Sequence, residues 1–450
     1  MNKTLIRRIW LILGLGMIFL ILGTINVQAK IDGITGPTFN LTARADYIYT
    51  ADGGSLLIFG YANGNGMAQY PGPTLIVNQG DTVTVNLTVD PNYLTIPVSI
   101  VFPGQQGVTA TAIGDPNLTQ DGLLTKEALP GGTVQYTFTA SQPGTYTYYS
   151  GTEPDLQIEM GLLGALIVRP AGYNPNDPAT YRAYNHPDSQ YIREYLFLIS
   201  EMDYYTHLFV EFGLPVDTTT FWPVYWFING RTGPDTMDMA GVPWLPTQPY
   251  NCMPRMHPGE KVLLRIIGGG RDLHPYHTHG NHVRVIARDG RLLESAPGAG
   301  ANLSTMEFTI TSAPGQTIDA VFQWTGEKMG WDIYGTVADG PQFAHTCNGL
   351  DVPSPGFDPI TNEYCPDHGK PFPVVIPNVM DLTVGPWYSG SPFLGAAGPL
   401  PPGEGGFNPT AGFYYMWHSH NENEIINFGI FPGGMLTMVV VEHPSVEIME

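Results

Sequence analysis

Leu75-Ile76-Val77-Asn78-Gln79-Gly80-Asp81-Thr82-Val83-Thr84-Val85-Asn86-Leu87 carries two apolar, β-branched runs on either side of a Gln-Gly-Asp turn. Valine, isoleucine and threonine are stiff at χ1 and suit a pleated strand. Each run on its own therefore reads as a short strand. A period of two runs through residues 132–138, GTVQYTF. Short strands at this spacing predict a sandwich, and residues 38–170 read as one β domain.

Further along the chain, residues 171–191 are rich in Asn, Pro, Asp and Tyr, lack periodicity and read as a linker. A second β domain is expected over 192–443. It begins with the run 195–200, continues through 226–230, 261–267, 283–287, 307–310 and 317–322, and closes with 413–420 and 434–441. Inside it, 335–412 is a long Pro- and Gly-rich insertion with little strand pattern. The chain as a whole has 450 residues, enough for two such domains. Its Gly 54 and Pro 41 fit the many turns of an all-β protein, while 43% hydrophobic and 12% aromatic content argue against disorder.

At the N-terminus, Lys3, Arg7 and Arg8 precede an apolar run over 9–23, and Val27-Gln28-Ala29 offers small residues for cleavage. Residues 1–29 therefore read as a signal peptide of an exported protein, destined for the periplasm, the cell surface or the exterior, with no membrane span once the signal is cleaved. The formal net charge of -21 becomes -24 without those three cations. Such a surface disfavours nucleic acid as a partner and attracts metal ions. Of the three cysteines, Cys347 and Cys365 are close enough in sequence to close a short disulfide loop, which leaves Cys252 as a buried free thiol.

Chemistry concentrates in two histidine clusters, His274-Pro-Tyr-His277-Thr-His279-Gly280 and Trp417-His418-Ser419-His420, which together hold five of the 12 histidines. On extended strands His277 shares a face with His279, and His418 with His420. If the two pairs meet, they make a four-imidazole pocket suited to copper, with zinc as a second occupant.

Three stretches resemble the multicopper oxidase family, in its compact form built from two cupredoxin domains. They are Pro71-Gly-Pro-Thr74 with Gly80-Asp81; Asn229-Gly230 through His257-Pro-Gly-Glu260 to HPYHTHG and Asp289-Gly290; and WHSHNENEIINFGIFPGGM from Trp417. The resemblance implies two cupredoxin-like Greek-key β-sandwich domains. It also implies a blue-copper role for His274, cluster roles for His277, His279, His418 and His420, and a homotrimer in which the first domain of one chain meets the second domain of the next. The chain departs from the family pattern at several positions. Ser419 stands where the thiolate ligand of the blue copper belongs, and Glu424 where its second histidine belongs. Val101, Pro103, Tyr149 and Gly151 occupy the histidine positions of the first domain, and residues 38–180 contain no histidine.

A serine hydroxyl cannot replace a soft thiolate, so a blue centre is not expected here. Cys365-Pro-Asp-His368 has a spacing seen in small blue-copper proteins but sits in the insertion, where a disulfide with Cys347 is the preferred reading. The candidate metal ligands are therefore His277, His279, His418 and His420, with His274 nearby and Glu424 as a substitute ligand. The expected function is that of an exported copper-binding protein with residual oxidoreductase chemistry. The alternative is a non-catalytic metal-sequestering or surface structural protein on the same scaffold.

Overall fold

The computed structural model describes residues 31–338, 340–349, 356–371, 390–391, 413–444 and 446–448. The signal segment 1–29 and most of the insertion 335–412 lie outside the described residues.

Two sandwiches follow one another along the chain. In the first, a five-stranded sheet runs in the order Ser55–Asn63, Thr38–Tyr49, Thr82–Val89, Thr133–Thr139, Thr109–Ile113. It faces a four-stranded sheet in the order Ile34–Thr35, Gly72–Asn78, Leu163–Arg169, Gly144–Tyr149. The two runs of the 75–87 stretch thus fall in opposite sheets, and Gly80, at φ 92°, turns the chain from one layer to the other. Thr82–Val89 alternates strictly, with Val83, Val85, Leu87 and Val89 fully buried. Opposite them, Leu75, Val77, Leu166 and Val168 complete the core between the sheets. Each such side chain contributes roughly 1.5–3 kcal/mol when taken out of water.

The second sandwich pairs two mixed sheets. One runs Tyr225–Ile228, Arg193–Met202, Lys261–Gly268, Thr317–Gln323, Val283–Arg288, Arg291–Leu292, with Thr305–Glu307 also on Val283–Arg288. The other runs Arg255–Met256, Leu436–Val441, Phe413–Ser419, His274–Thr278, Thr309–Ser312, with Gly390–Ser391 alongside Phe413–Ser419. Arg193–Met202 is buried at every position because its sheet is covered on both faces, which explains a continuous apolar run in place of an alternating one. Asp289-Gly290, both at positive φ, makes the tight turn that pairs Arg288 with Arg291. Fully buried Trp324, Trp331 and Trp417 dominate the core beneath the second sheet.

The sandwiches pack against each other. Leu163, Ala165 and Ile167 of the first meet Leu196, Leu198, Phe227 and Ile267 of the second in one buried cluster. Beside it lies a buried ionic network. Glu194 accepts from Arg169 at 2.7 Å and from Arg265 at 3.0 Å, and Thr145 donates to Asp319 at 2.6 Å. Burial alone would raise the Glu194 pKa, yet the two guanidinium groups hold it down to about 2. The 171–191 stretch lies against this junction, where Tyr181 stacks between Tyr173 and Tyr191 at 5.5 and 5.8 Å.

Candidate metal centre

The centre is built on two neighbouring strands of the second sandwich. His274–Thr278 and Phe413–Ser419 run antiparallel with His277 directly opposite His418, and side chains opposed in this way project from the same face. Period-two alternation then carries His279 and His420 to that face. Trp417 fixes the turn after the first strand by donating its indole N–H to the His279 carbonyl at 2.9 Å.

Ring centroids show the outcome. His277 lies 4.7 Å from His279, 4.7 Å from His420 and 5.6 Å from His418, and His279 lies 5.1 Å from His418. The Nε2 atoms of His279 and His418 face each other at 3.1 Å. His277 and His279 are buried, His418 is half-buried and His420 is exposed, so the group opens to solvent on the His420 side. Phe308 covers His277 at 4.3 Å between ring centroids.

Backbone carbonyls orient two of the rings. His277 Nδ1 donates to the Phe308 carbonyl at 2.7 Å, and His418 Nδ1 donates to the Ser419 carbonyl at 2.6 Å, which places the lone pair of each neutral ring on Nε2. Burial, followed by the neighbouring His279, pushes the His277 pKa down to about 3, and burial lowers that of His418 as well. A neutral imidazole is the form that binds a transition metal, and the Nε2 atoms that meet here are those of His279 and His418.

The structure does not bring His274 or Glu424 into this group. His274, three residues before His277 on the same strand, is fully buried, its Nε2 2.7 Å from Glu201 and its Nδ1 3.0 Å from Glu424. Glu424 in turn accepts from Ser419 Oγ at 2.5 Å and from Asn421 at 3.0 Å. Burial by itself would lower the His274 pKa, but hydrogen bonds to the two carboxylates carry it up to about 9. With both ring nitrogens donating, His274 is an imidazolium and offers no lone pair to a metal. His274 and Glu424, expected as a nearby and a substitute ligand, pair here with each other, and His274 also with Glu201. Glu201, the partner that completes this ion cluster, belongs to no histidine motif and is separated from His274 by 73 residues, so the motif gave no sign of it.

In the first sandwich, Val101 and Tyr149 bridge antiparallel strands, with the Val101 N–H on the Tyr149 carbonyl at 2.8 Å. Tyr148 is buried with its hydroxyl on the Pro73 carbonyl at 2.7 Å. Cys347 and Cys365 are joined in a disulfide with 5.5 Å between Cα atoms, and Cys252 is a buried free thiol. Sequence reasoning missed a second group, Asp332, His345, Glu363 and His368, whose four ligand atoms lie within 4.8 Å of one another. The signal available was the Cys365-Pro-Asp-His368 spacing, which places His368 beside the disulfide but does not point to the two carboxylates.

The sequence model of the multicopper oxidase family matches residues 63–172, in the sandwich that lacks histidines. Among curated relatives, the chain is 35% identical to laccase-2 of Cryptococcus neoformans var. grubii over 146 residues, 31% of this chain and 20% of that protein. It is 40% identical to L-ascorbate oxidase of Cucurbita pepo var. melopepo over 105 residues, 23% of this chain and 17% of that one. The alignments thus span about a fifth of the length of these relatives. The fold is similar to that of the blue copper oxidase from Nitrosomonas europaea, with a TM-score of 0.52 at 18% identity, covering 91% of this chain and 88% of that one. Two consecutive cupredoxin-like sandwiches and a family match within the first make this chain similar to the multicopper oxidases.

Proposed function

We propose that this protein is an exported copper-binding member of the family. In this reading it holds copper through His277, His279, His418 and His420 and lacks a blue-copper centre. The observation that carries the reading is the convergence of the rings, with two Nε2 atoms 3.1 Å apart, about the separation of neighbouring ligands on one tetrahedral ion. The residues fit copper in chemistry, because the donor set is all imidazole and burial holds His277 as the neutral ring. Bound copper would supply one-electron redox chemistry and a coordination position open to a small substrate.

The protein's own part is limited and definable. Phe308 shields one side of the group, the carbonyls of Phe308 and Ser419 fix two ring tautomers, and His420 stands at the solvent mouth. Ser419 is committed to Glu424 and His274 to two carboxylates, so the path that would pass electrons through a thiolate has no counterpart in this reading. Complete reduction of oxygen to water is therefore not part of the proposal, whereas simpler oxidation at an exposed ion is.

Copper loading with elemental analysis and electron paramagnetic resonance tests it. The expected result is at most two copper ions at this group, a nitrogen-ligated signal and no intense blue colour. Replacing His418 and His420 together by alanine weakens copper binding by more than about 100-fold, beyond the range for losing a supporting contact alone. An intense blue band, or copper binding untouched by that double substitution, overturns the assignment. Oxygen uptake with phenols then separates turnover from sequestration. A homotrimer belongs to the same proposal, and a monomeric mass in light scattering removes it.

A further inference from the structure

We infer that a second metal site, distinct from the imidazole quartet, is formed by Asp332, His345, Glu363 and His368, and that it takes one divalent transition-metal ion in a closed tetrahedral shell of two nitrogens and two oxygens. The group lies at the base of the insertion. Its four ligand atoms lie within 4.8 Å of one another. His345 Nε2 is 3.5 Å from Asp332 Oδ2 and 3.3 Å from Glu363 Oε2, and His368 Nδ1 is 3.3 Å from Asp332 Oδ2 and 2.8 Å from Glu363 Oε1. A tetrahedron with metal–ligand bonds of about 2.0 Å has edges of about 3.3 Å, which matches three of these four separations.

Two further observations indicate that a cation completes the group. Asp332 and Glu363 are both buried, and among the described residues neither is ion-paired with a lysine or arginine. Two carboxylates side by side out of water are costly unless a cation neutralises them. In addition, His345 Nε2 and Glu363 Oε2 are buried polar atoms that face each other at 3.3 Å without a hydrogen bond. His345 Nδ1 donates to the Phe343 carbonyl at 2.7 Å, so in the neutral ring the lone pair of Nε2 points at the carboxylates. A lone pair aimed at an acceptor oxygen is repulsive, and an ion between them turns the contact into two bonds.

The scaffold is preorganised. Asp332 accepts from the Tyr334 and Gly369 N–H groups at 3.0 and 2.8 Å, which fixes its carboxylate. The Cys347–Cys365 disulfide joins the segment bearing His345 to the segment bearing Glu363 and His368. Both carboxylates are closed off from solvent and only the histidines are part-exposed, so the ion's role is structural: it clamps the insertion to the second sandwich.

The test uses the full chain with His418→Ala and His420→Ala, so that the quartet is left with two of its four histidines, stripped with a chelator and dialysed against zinc alone. One zinc per chain is expected, with an X-ray absorption shell of four nitrogen or oxygen ligands at about 2.0 Å. Adding Glu363→Gln, which is nearly isosteric and preserves folding by circular dichroism, lowers zinc affinity at least about 10-fold. Adding His345→Ala with His368→Ala removes the ion. No zinc in the starting variant, or zinc binding unchanged by Glu363→Gln, overturns the inference and leaves a protonated histidine–carboxylate cluster in its place. Quartet failure and failure here are read separately, because every protein in this series lacks two of the four quartet histidines.

Discussion

The strand His274–Thr278 carries two buried histidines with opposite fates. His274, at its start, sits between Glu201 and Glu424 and is held as a cation, with its pKa raised to about 9. His277, three residues on, sits among three other imidazoles beneath Phe308 and is held neutral, with its pKa pushed down to about 3 by burial and by His279. Both are almost completely buried, at 0% and 1% exposure, so burial alone does not decide between them. The difference lies in the neighbours: the two carboxylates on its ring nitrogens hold His274 as an imidazolium, and neighbouring imidazoles together with burial hold His277 neutral.

The largest expected effect comes from breaking the charged end. Glu201→Ala leaves a buried imidazolium with one carboxylate where it had two, and orphans the Arg271 and Asp272 N–H groups that Glu201 accepts. A loss of about 3–5 kcal/mol, the range for removing one partner of a buried ion pair, is expected in urea unfolding. Copper loading of the folded fraction stays the same, since Glu201 touches none of the quartet. If copper binding falls in parallel with stability, the two ends of the strand are not separate environments.

A smaller effect should appear with pH. The folded-state pKa of His274 is raised from the ordinary 6.5 to about 9. Its contribution to stability is therefore complete below about 6.5 and is lost as pH rises through about 9, because above that value neither state holds the proton. Thermal unfolding of the metal-free protein between pH 6 and 10, roughly the window those two values bracket, should show falling stability that Glu201→Gln flattens. A slope unchanged by Glu201→Gln assigns the titration to another group.

The smallest effect tests the neutral end. Phe308 is 46% exposed yet covers His277 and comes within 6.3 Å of His420. Phe308→Ala opens the group to water without removing a ligand, and a few-fold weaker copper affinity with unchanged stoichiometry is expected in equilibrium dialysis. Complete loss of copper would make the ring, and not the histidines, the decisive element.

Much of this arrangement was legible locally. The alternation of Thr82–Val89 identifies a strand and its buried face, because side-chain direction on a strand depends only on residue parity. The spacing of two within each histidine pair places both members on one face for the same reason. The sequence did not show that residues 75–77 and 83–87 belong to opposite sheets, since period two is identical in either layer. Nor did it show the fate of His274. Its motif matches that of a ligand, and the residues that turn it into a cation enter from Met202's strand and from the turn after Ser419.

The sequence alone determined the elements and their faces: strands, the turns at Gly80 and Asp289-Gly290, and two pairs of histidines each on a common side. Those are properties of adjacent residues and follow from backbone sterics. Tertiary structure decided the register that sets His277 opposite His418, the carboxylates that surround His274, and the meeting of Asp332, His345, Glu363 and His368. Each depends on which distant strands and loops become neighbours, and ligand geometry and local charge exist only after that pairing is made.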